Sequence, residues 1–193
     1  DDLRAAGAQI VDPVIIPMLD ENVQFSCRRF RYDINAYLAT LGPEAPVKTL
    51  TEIVESGGYD RTVRDRIRRG LEESLEDPDI RCAEQTDNRK LLAQQVTGVL
   101  AAEQLDALVY PTWANVPSLI GDLLSPGGDN SQVLSPQTGF PAITVPMGWI
   151  EEGGQQLPGG LQIFGDAWSE PRLIAIAYAY EQATQWHEAR PQL

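Results

Sequence analysis

The sequence predicts an α/β fold, with part of a mixed sheet covered by helices. Three observations predict it. Two short apolar runs, Ala142–Pro146 and Leu161–Phe164, are rich in β-branched or large side chains and bounded by Gly and Pro, as buried strands are. A third run, Leu105–Thr112, follows a long amphipathic helical pattern, which implies an αβ unit on a sheet. A final helical pattern from Ser169 to His187 carries a broad apolar stripe, the mark of a helix lying across a sheet.

Taken in order, Leu3–Ala8 reads as a helix end stopped by Gly7. Gln9-Ile10-Val11 then begins a short strand. From Asp20 to Leu41 the apolar residues Val23, Phe30, Ile34, Tyr37, Leu38 and Leu41 recur near a 3.6 period, and Gly42-Pro43 ends the run. Thr49 can cap the next helix, with Glu52 at capping-box spacing. Gly57-Gly58 breaks the chain, and Tyr59 to Leu75 reads as a charged helix stopped by Pro78. Its arginines, Arg61, Arg64, Arg66, Arg68 and Arg69, are followed by Glu72, Glu73, Glu76 and Asp77. The acidic half cancels the field of the basic half, so a solvated face is the reading rather than an anion-binding patch.

A fourth helix runs from about Cys82 to Gln104, with Leu92, Val96, Val99, Leu100 and Glu103 near one face. The stretch Pro111 to Pro136 holds four prolines and three glycines and reads as a long loop, a usual place for function. The connection EEGGQQLPGG between the last two strands must turn, as a hairpin-like tip. In the last helix Ser169 can cap, Pro171 is tolerated in the first turn, and Leu173, Ile174, Ile176, Ala177, Tyr180, Ala183 and Thr184 form the stripe.

Composition bounds the function. A chain of 193 residues with 42% hydrophobic and 22% charged residues can build one domain with a sizeable core. A net charge of −13 is the wrong sign for a nucleic-acid partner or an anionic membrane surface. No apolar run approaches a membrane span. The opening DDLRAAGAQIVDP shows no signal-peptide pattern and no initiator Met, so the expectation is a chain that begins inside a larger protein. Cys27 and Cys82 lack CxxC spacing and read as reduced thiols, with a disulfide left open; they do not decide the compartment, for which a cytoplasmic setting is the expectation.

One block resembles a known family. Gly139-Phe140-Pro141-Ala142-Ile143-Thr144-Val145-Pro146, then Leu157-Pro158, Gly160-Leu161-Gln162 and Gly165, resembles the C-terminal region of the amidase-signature hydrolases. Agreement continues through Ser169-Glu170-Pro171 and from Ala177 to Thr184. Gly159 departs, since the family more often has an apolar residue such as Val there. The strings Phe30–Leu38 and Thr49–Ile53 are similar to helices of a peptide-amidase-like branch. The resemblance covers nearly the whole chain and is strongest after Asp106. It implies the C-terminal part of the amidase-signature fold, in a single partial domain spanning 1–193.

It also implies amide hydrolysis by a nucleophilic Ser, a bridging Ser and a Lys base, all upstream of this region. A neutral amine must stand within hydrogen-bond reach of the attacking Ser. The two lysines here, Lys48 and Lys90, neighbour no Gly-Gly-Ser-Ser type segment, so no catalytic residue is assigned. His187, the lone histidine, has no G-x-S-x-G turn to serve. No metal-ligand cluster, P-loop or dinucleotide fingerprint occurs, and no metal or cofactor is expected. Glu76-Asp77-x-Asp79 reads as a solvated helix end, and Gly127–Ser131 as a turn.

The implied role is to complete the sheet and to form one wall of a pocket for a small amide substrate. The expected wall is Thr112, Trp113, Gly139 and Phe140, with Thr112–Trp113 and Ser135–Phe140 meeting beyond one end of the sheet. The expected partner is an N-terminal amidase polypeptide, or failing that a second copy. The competing hypothesis is a non-catalytic binding or structural module that keeps the fold without the triad.

Overall fold

A computed structural model describes residues 1–17, 19, 27–76, 82–117 and 133–189. The described elements, in chain order, are α1 (Asp2–Ala5), α2 (Phe30–Thr40), α3 (Leu50–Ser56), a 3-10 turn (Arg61–Val63), α4 (Arg64–Gly70), α5 (Ala83–Ala102), β1 (Leu108–Pro111), α6 (Leu134–Thr138), β2 (Ala142–Glu152), β3 (Gln155–Phe164), α7 (Glu170–Thr184) and a 3-10 turn (Trp186–Glu188). They fall into two compact units, Gln24–Asn88 and the remainder.

The smaller unit is helical. Thr49 caps α3 as its spacing predicts: its hydroxyl accepts from the Glu52 N–H at 3.2 Å, and the Glu52 carboxylate accepts from the Lys48 N–H at 2.7 Å. Gly57, at φ +65°, closes the same helix in the left-handed conformation that glycine adopts without strain. The Arg31 guanidinium donates to the Leu71 carbonyl at 2.8 Å and so ties α2 to the end of α4. The arginines of the charged helix are exposed, in keeping with a solvated face, and the helix itself is short, with a 3-10 turn before α4. Asp77 and Asp79 lie outside the described residues, as do 20–26 and the Gly127–Ser131 turn.

The reduced-thiol expectation is corrected: Cys27 and Cys82 form a disulfide across 55 residues, with Cα atoms 5.6 Å apart. The helices between them fold back on themselves, which sequence spacing does not reveal. A cross-link closing a loop of this length removes unfolded-state entropy worth about 4 kcal/mol.

The larger unit is built on a three-stranded sheet of order β1-β3-β2. The expected mixed sheet is corrected, because all pairings among the described strands are antiparallel. The hairpin makes β3 antiparallel to β2, and β1 adds on the far side of β3, so the two co-directional strands never touch. Gln9–Val11, expected as a strand, has no strand structure. The strands β2 and β3 are longer than their apolar runs and meet in a two-residue turn, Gly153-Gly154, with φ +58° and +78°. Two consecutive positive φ values are what a tight hairpin turn demands.

Side chains alternate across the sheet and define two cores. Leu108, Phe164, Ala142 and Tyr110 face α5, where Leu92, Val96 and Leu100 stack on successive turns. Val145, Leu161, Ile143 and Ile163 face α7 and meet Leu173, Ala177 and Tyr180. A bulge between Pro146 and Gly148 makes this division possible, because it shifts β2 by one residue relative to the register set at the turn. Gly148 takes φ +114° at the bulge, and the Trp186 ring would stand 3.4 Å from any Cβ there. The Trp186 indole N–H donates to Asp2 at 3.0 Å, so both described ends of the chain close over the bulge. The stripe on α7 is narrower than its sequence suggests: Ile174 and Tyr178 stay 60% and 63% exposed on the outer side. No helix among the described residues is long and apolar enough to cross a membrane.

Two measurements check this core. A Cβ at position 165 would overlap the Ser169 hydroxyl and stand 2.9 Å from Leu173 Cδ2. Gly165→Ala is therefore expected to destabilise the larger unit by about 1–3 kcal/mol in denaturant unfolding, from overpacking; an unchanged midpoint contradicts this packing. Burial, with the Asp2 charge adding to it, raises the Tyr180 phenol above its ordinary value of 10.0. The folded chain then holds this proton after the unfolded chain has released it. Stability is full below pH 10 and declines as pH rises above it. Tyr180→Phe should show a shallower alkaline decline than wild type in unfolding curves taken between pH 9 and about 11.

Candidate functional site

The candidate surface is the part of the sheet face that α5 leaves uncovered. Beyond Phe164, this face carries Gln162 and Gly160 on β3, Thr144 and Pro146 on β2, and Thr112 just past the end of β1. The Thr112 N–H donates to the Gly160 carbonyl at 2.8 Å, which extends the β1–β3 ladder by one residue. The Thr112 hydroxyl donates to Thr144 Oγ1 at 3.3 Å, and the Thr144 hydroxyl to Gln162 Oε1 at 3.2 Å. A row of hydroxyl and carboxamide groups thus runs from β1 across β3 to β2.

Gly160 makes this row possible. A Cβ there would stand 2.9 Å from Thr112 Oγ1 and 3.1 Å from Thr144 Cγ2. Its absence lets a side chain from β1 reach one from β2 over the strand between them. Thr144 is exposed and Gln162 is only 8% exposed, so the row leads from solvent into the sheet. Trp113, 42% exposed, follows immediately and adds a large apolar face. Hydroxyls and a carboxamide have the chemistry to hydrogen-bond an amide, and an exposed aromatic ring can cover a substrate's side chain.

Gly139 and Phe140 lie elsewhere. Gly139 ends α6 at φ +74°. Phe140 stacks on Phe164 with ring centroids 6.3 Å apart and packs against the α5 core. Its N–H donates to the Thr138 hydroxyl at 3.1 Å, and its carbonyl accepts from the Ser135 hydroxyl at 2.8 Å. The expected meeting of Thr112–Trp113 with Ser135–Phe140 at one end of the sheet is corrected by the register. Thr112 lies level with Gly160, whereas Pro141 lies level with Gly165, whose N–H it binds at 3.1 Å. Five residues along a strand are roughly 16 Å. The reason is direction: β1 and β2 both run against β3, so the end of β1 is level with Val145 and not with the start of β2. The two pairs of expected residues therefore do not form one wall within this chain.

Sequence reasoning missed Thr144, Gly160 and Gln162. Their signal was a glycine inside an apolar strand, which often marks a close approach of another chain segment. It also missed α6, whose marks are Pro136 in its first turn and Gly139 at its end.

The other residues weighed for chemistry have structural surroundings. The Lys48 side-chain amine donates to the Gly42 and Pro43 carbonyls. Lys90 is exposed on α5. His187 stands 3.9 Å from Glu188 on the last 3-10 turn. Among the described residues no group of three metal-ligating side chains gathers.

Comparison with known proteins accords with this architecture. The family model described as Amidase matches residues 1–174. The chain is 36% identical over 110 residues to one subunit of the glutamyl-tRNA(Gln) amidotransferase of Dehalococcoides mccartyi; the match covers 54% of this chain and 21% of that protein. Its fold superposes on the peptide amidase of Stenotrophomonas maltophilia with a TM-score of 0.72 and 30% identity, covering 98% of this chain and 39% of that one. An amidase family protein of Bacillus anthracis shares the fold, with a TM-score of 0.69 at 23% identity, 100% of this chain and 35% of that one. The chain thus spans about two fifths of its solved relatives and about one fifth of the curated ones. With nine tenths of its length matched by one family model, the chain belongs to the amidase family.

Proposed function

We propose that this chain is the C-terminal part of an amidase-signature hydrolase that cleaves a carboxamide C–N bond. The observation that carries the reading is the pair of coverages against the peptide amidase, nearly all of this chain and two fifths of that one. The remaining three fifths of such a protein would bring the Ser-Ser-Lys apparatus. Amide chemistry recurs in the names of the relatives, a peptide amidase and part of an amidotransferase.

In this reading the chain contributes sheet and pocket wall. The row Thr112–Thr144–Gln162, with Trp113 beside it, hydrogen-bonds the substrate's amide groups and covers its side chain. Gly139 and Phe140 contribute through packing, by setting where β2 begins. The N-terminal polypeptide covers Ile174 and Tyr178 on the outer side of α7 and the 89%-exposed Trp168 that precedes the helix, since large exposed apolar side chains mark surfaces that a partner covers. Failing that partner, a second copy takes its place.

The reading makes three predictions. The purified 193-residue chain should release no ammonia from C-terminally amidated peptides above the buffer rate, because a missing nucleophile or base costs several orders of magnitude in rate. It should also sediment as a dimer or larger species. Turnover abolished by a substitution within this chain, or a monodisperse monomer, contradicts the assignment. In the enzyme assembled with its Ser-Ser-Lys polypeptide, Trp113→Ala should raise KM about tenfold for amides with large side chains and leave thermal unfolding unchanged, from the lost apolar contact. Unaltered kinetics across several amides would show that Trp113 merely covers the edge of the sheet.

A further inference from the structure

The proposed hydrolysis makes no use of the Cys27–Cys82 bond. It closes a unit that is otherwise weakly held. Gln24–Asn88 is a helical unit of roughly 65 residues, a size at which an apolar core alone is marginal. Among its described residues the buried apolar side chains are Leu38, Leu50 and Cys82 itself. Much of the rest is polar: Arg31 to the Leu71 carbonyl, and the Leu50 N–H to Asn35 Oδ1 at 2.8 Å. The larger unit, by contrast, buries Phe164, Ile163, Leu173 and Val96 with no cysteine at all.

The bond sits at the neck of the smaller unit. Cys27 comes three residues after Gln24 and Cys82 six before Asn88, so the cross-link spans almost the whole segment. Such a link restrains the open chain more than any single side-chain contact inside it. Cys82 is 2% exposed and Cys27 is half-buried, so opening of the unit widens a reductant's access to the bond.

We infer that Cys27–Cys82 is the staple on which the 24–88 unit depends, and that this protein matures where thiols are oxidised. Formation of the bond takes two electrons and two protons from the two thiols. An acceptor disulfide, of a small molecule or an oxidoreductase, receives them and leaves as two thiols. Persistent structural disulfides belong to secreted or periplasmic surroundings and not to a reducing cytoplasm.

The full chain, refolded in a glutathione redox buffer, tests this. Iodoacetamide in denaturant should add nothing to its mass before reduction and two groups after reduction with a phosphine. Trypsin should then cut at Arg61, Arg64, Arg66, Arg68 and Arg69 on the order of 100-fold faster in the reduced chain, while cleavage within 89–189 changes little. The double variant Cys27→Ser, Cys82→Ser should reproduce the reduced pattern without any reductant. Two free thiols in the redox buffer, equal cleavage rates in the two states, or equal acceleration across both units would each overturn the inference.

Discussion

The larger unit depends on the register of one hairpin. Gly153 and Gly154 carry the positive φ values of a tight turn, and that turn dictates which residues of β2 and β3 face one another. Strand side chains alternate with period two, so a slip of one residue would exchange the two faces of the sheet. The bulge at Pro146–Gly148 introduces one such slip, and the residues beyond it are patterned to suit. Val145 and Ile143 then meet α7, and Ala142 and Thr144 take the opposite face. Trp186 seals the bulge, and Asp2 holds Trp186. A two-residue turn and a one-residue bulge thus sort the buried apolar residues of the sheet into two cores.

The same register separates packing from chemistry on the α5 face. At the Phe164 end the side chains are apolar and covered by Leu92, Val96 and Leu100. At the Gly160 end they are hydroxyls and a carboxamide, linked in a row that exists because one position has no side chain. A polar row on a sheet is costly under an apolar cover and useful where a polar ligand or partner arrives. This chemistry accords with membership of the amidase family, whose solved representatives extend well beyond the length of this chain.

The two units are held in different ways. The larger one relies on interlocking apolar side chains across a sheet, which sum over many contacts. The smaller one has few such contacts and uses caps, an arginine clamp and a cross-link. Directional bonds and covalent closure substitute for burial where a short segment cannot bury much.

Much of this was legible in the amino-acid order, for local reasons. Apolar periodicity located α2, α5, α7 and all three strands; glycines and Thr49 located their ends; and the block from Gly139 to Gly165 pointed to the family. These features depend on neighbours a few residues apart, and neighbours are what a sequence displays. Strand order, the antiparallel pairing throughout, the disulfide and the placement of Thr112 away from Phe140 depend on segments 20 to 55 residues apart. The apolar pattern of Leu108–Pro111 is equally satisfied beside β2 or beside β3. Only the packed sheet, with β3 between its two co-directional neighbours, decided that Thr112 meets Thr144 across Gly160 while Phe140 turns into the core.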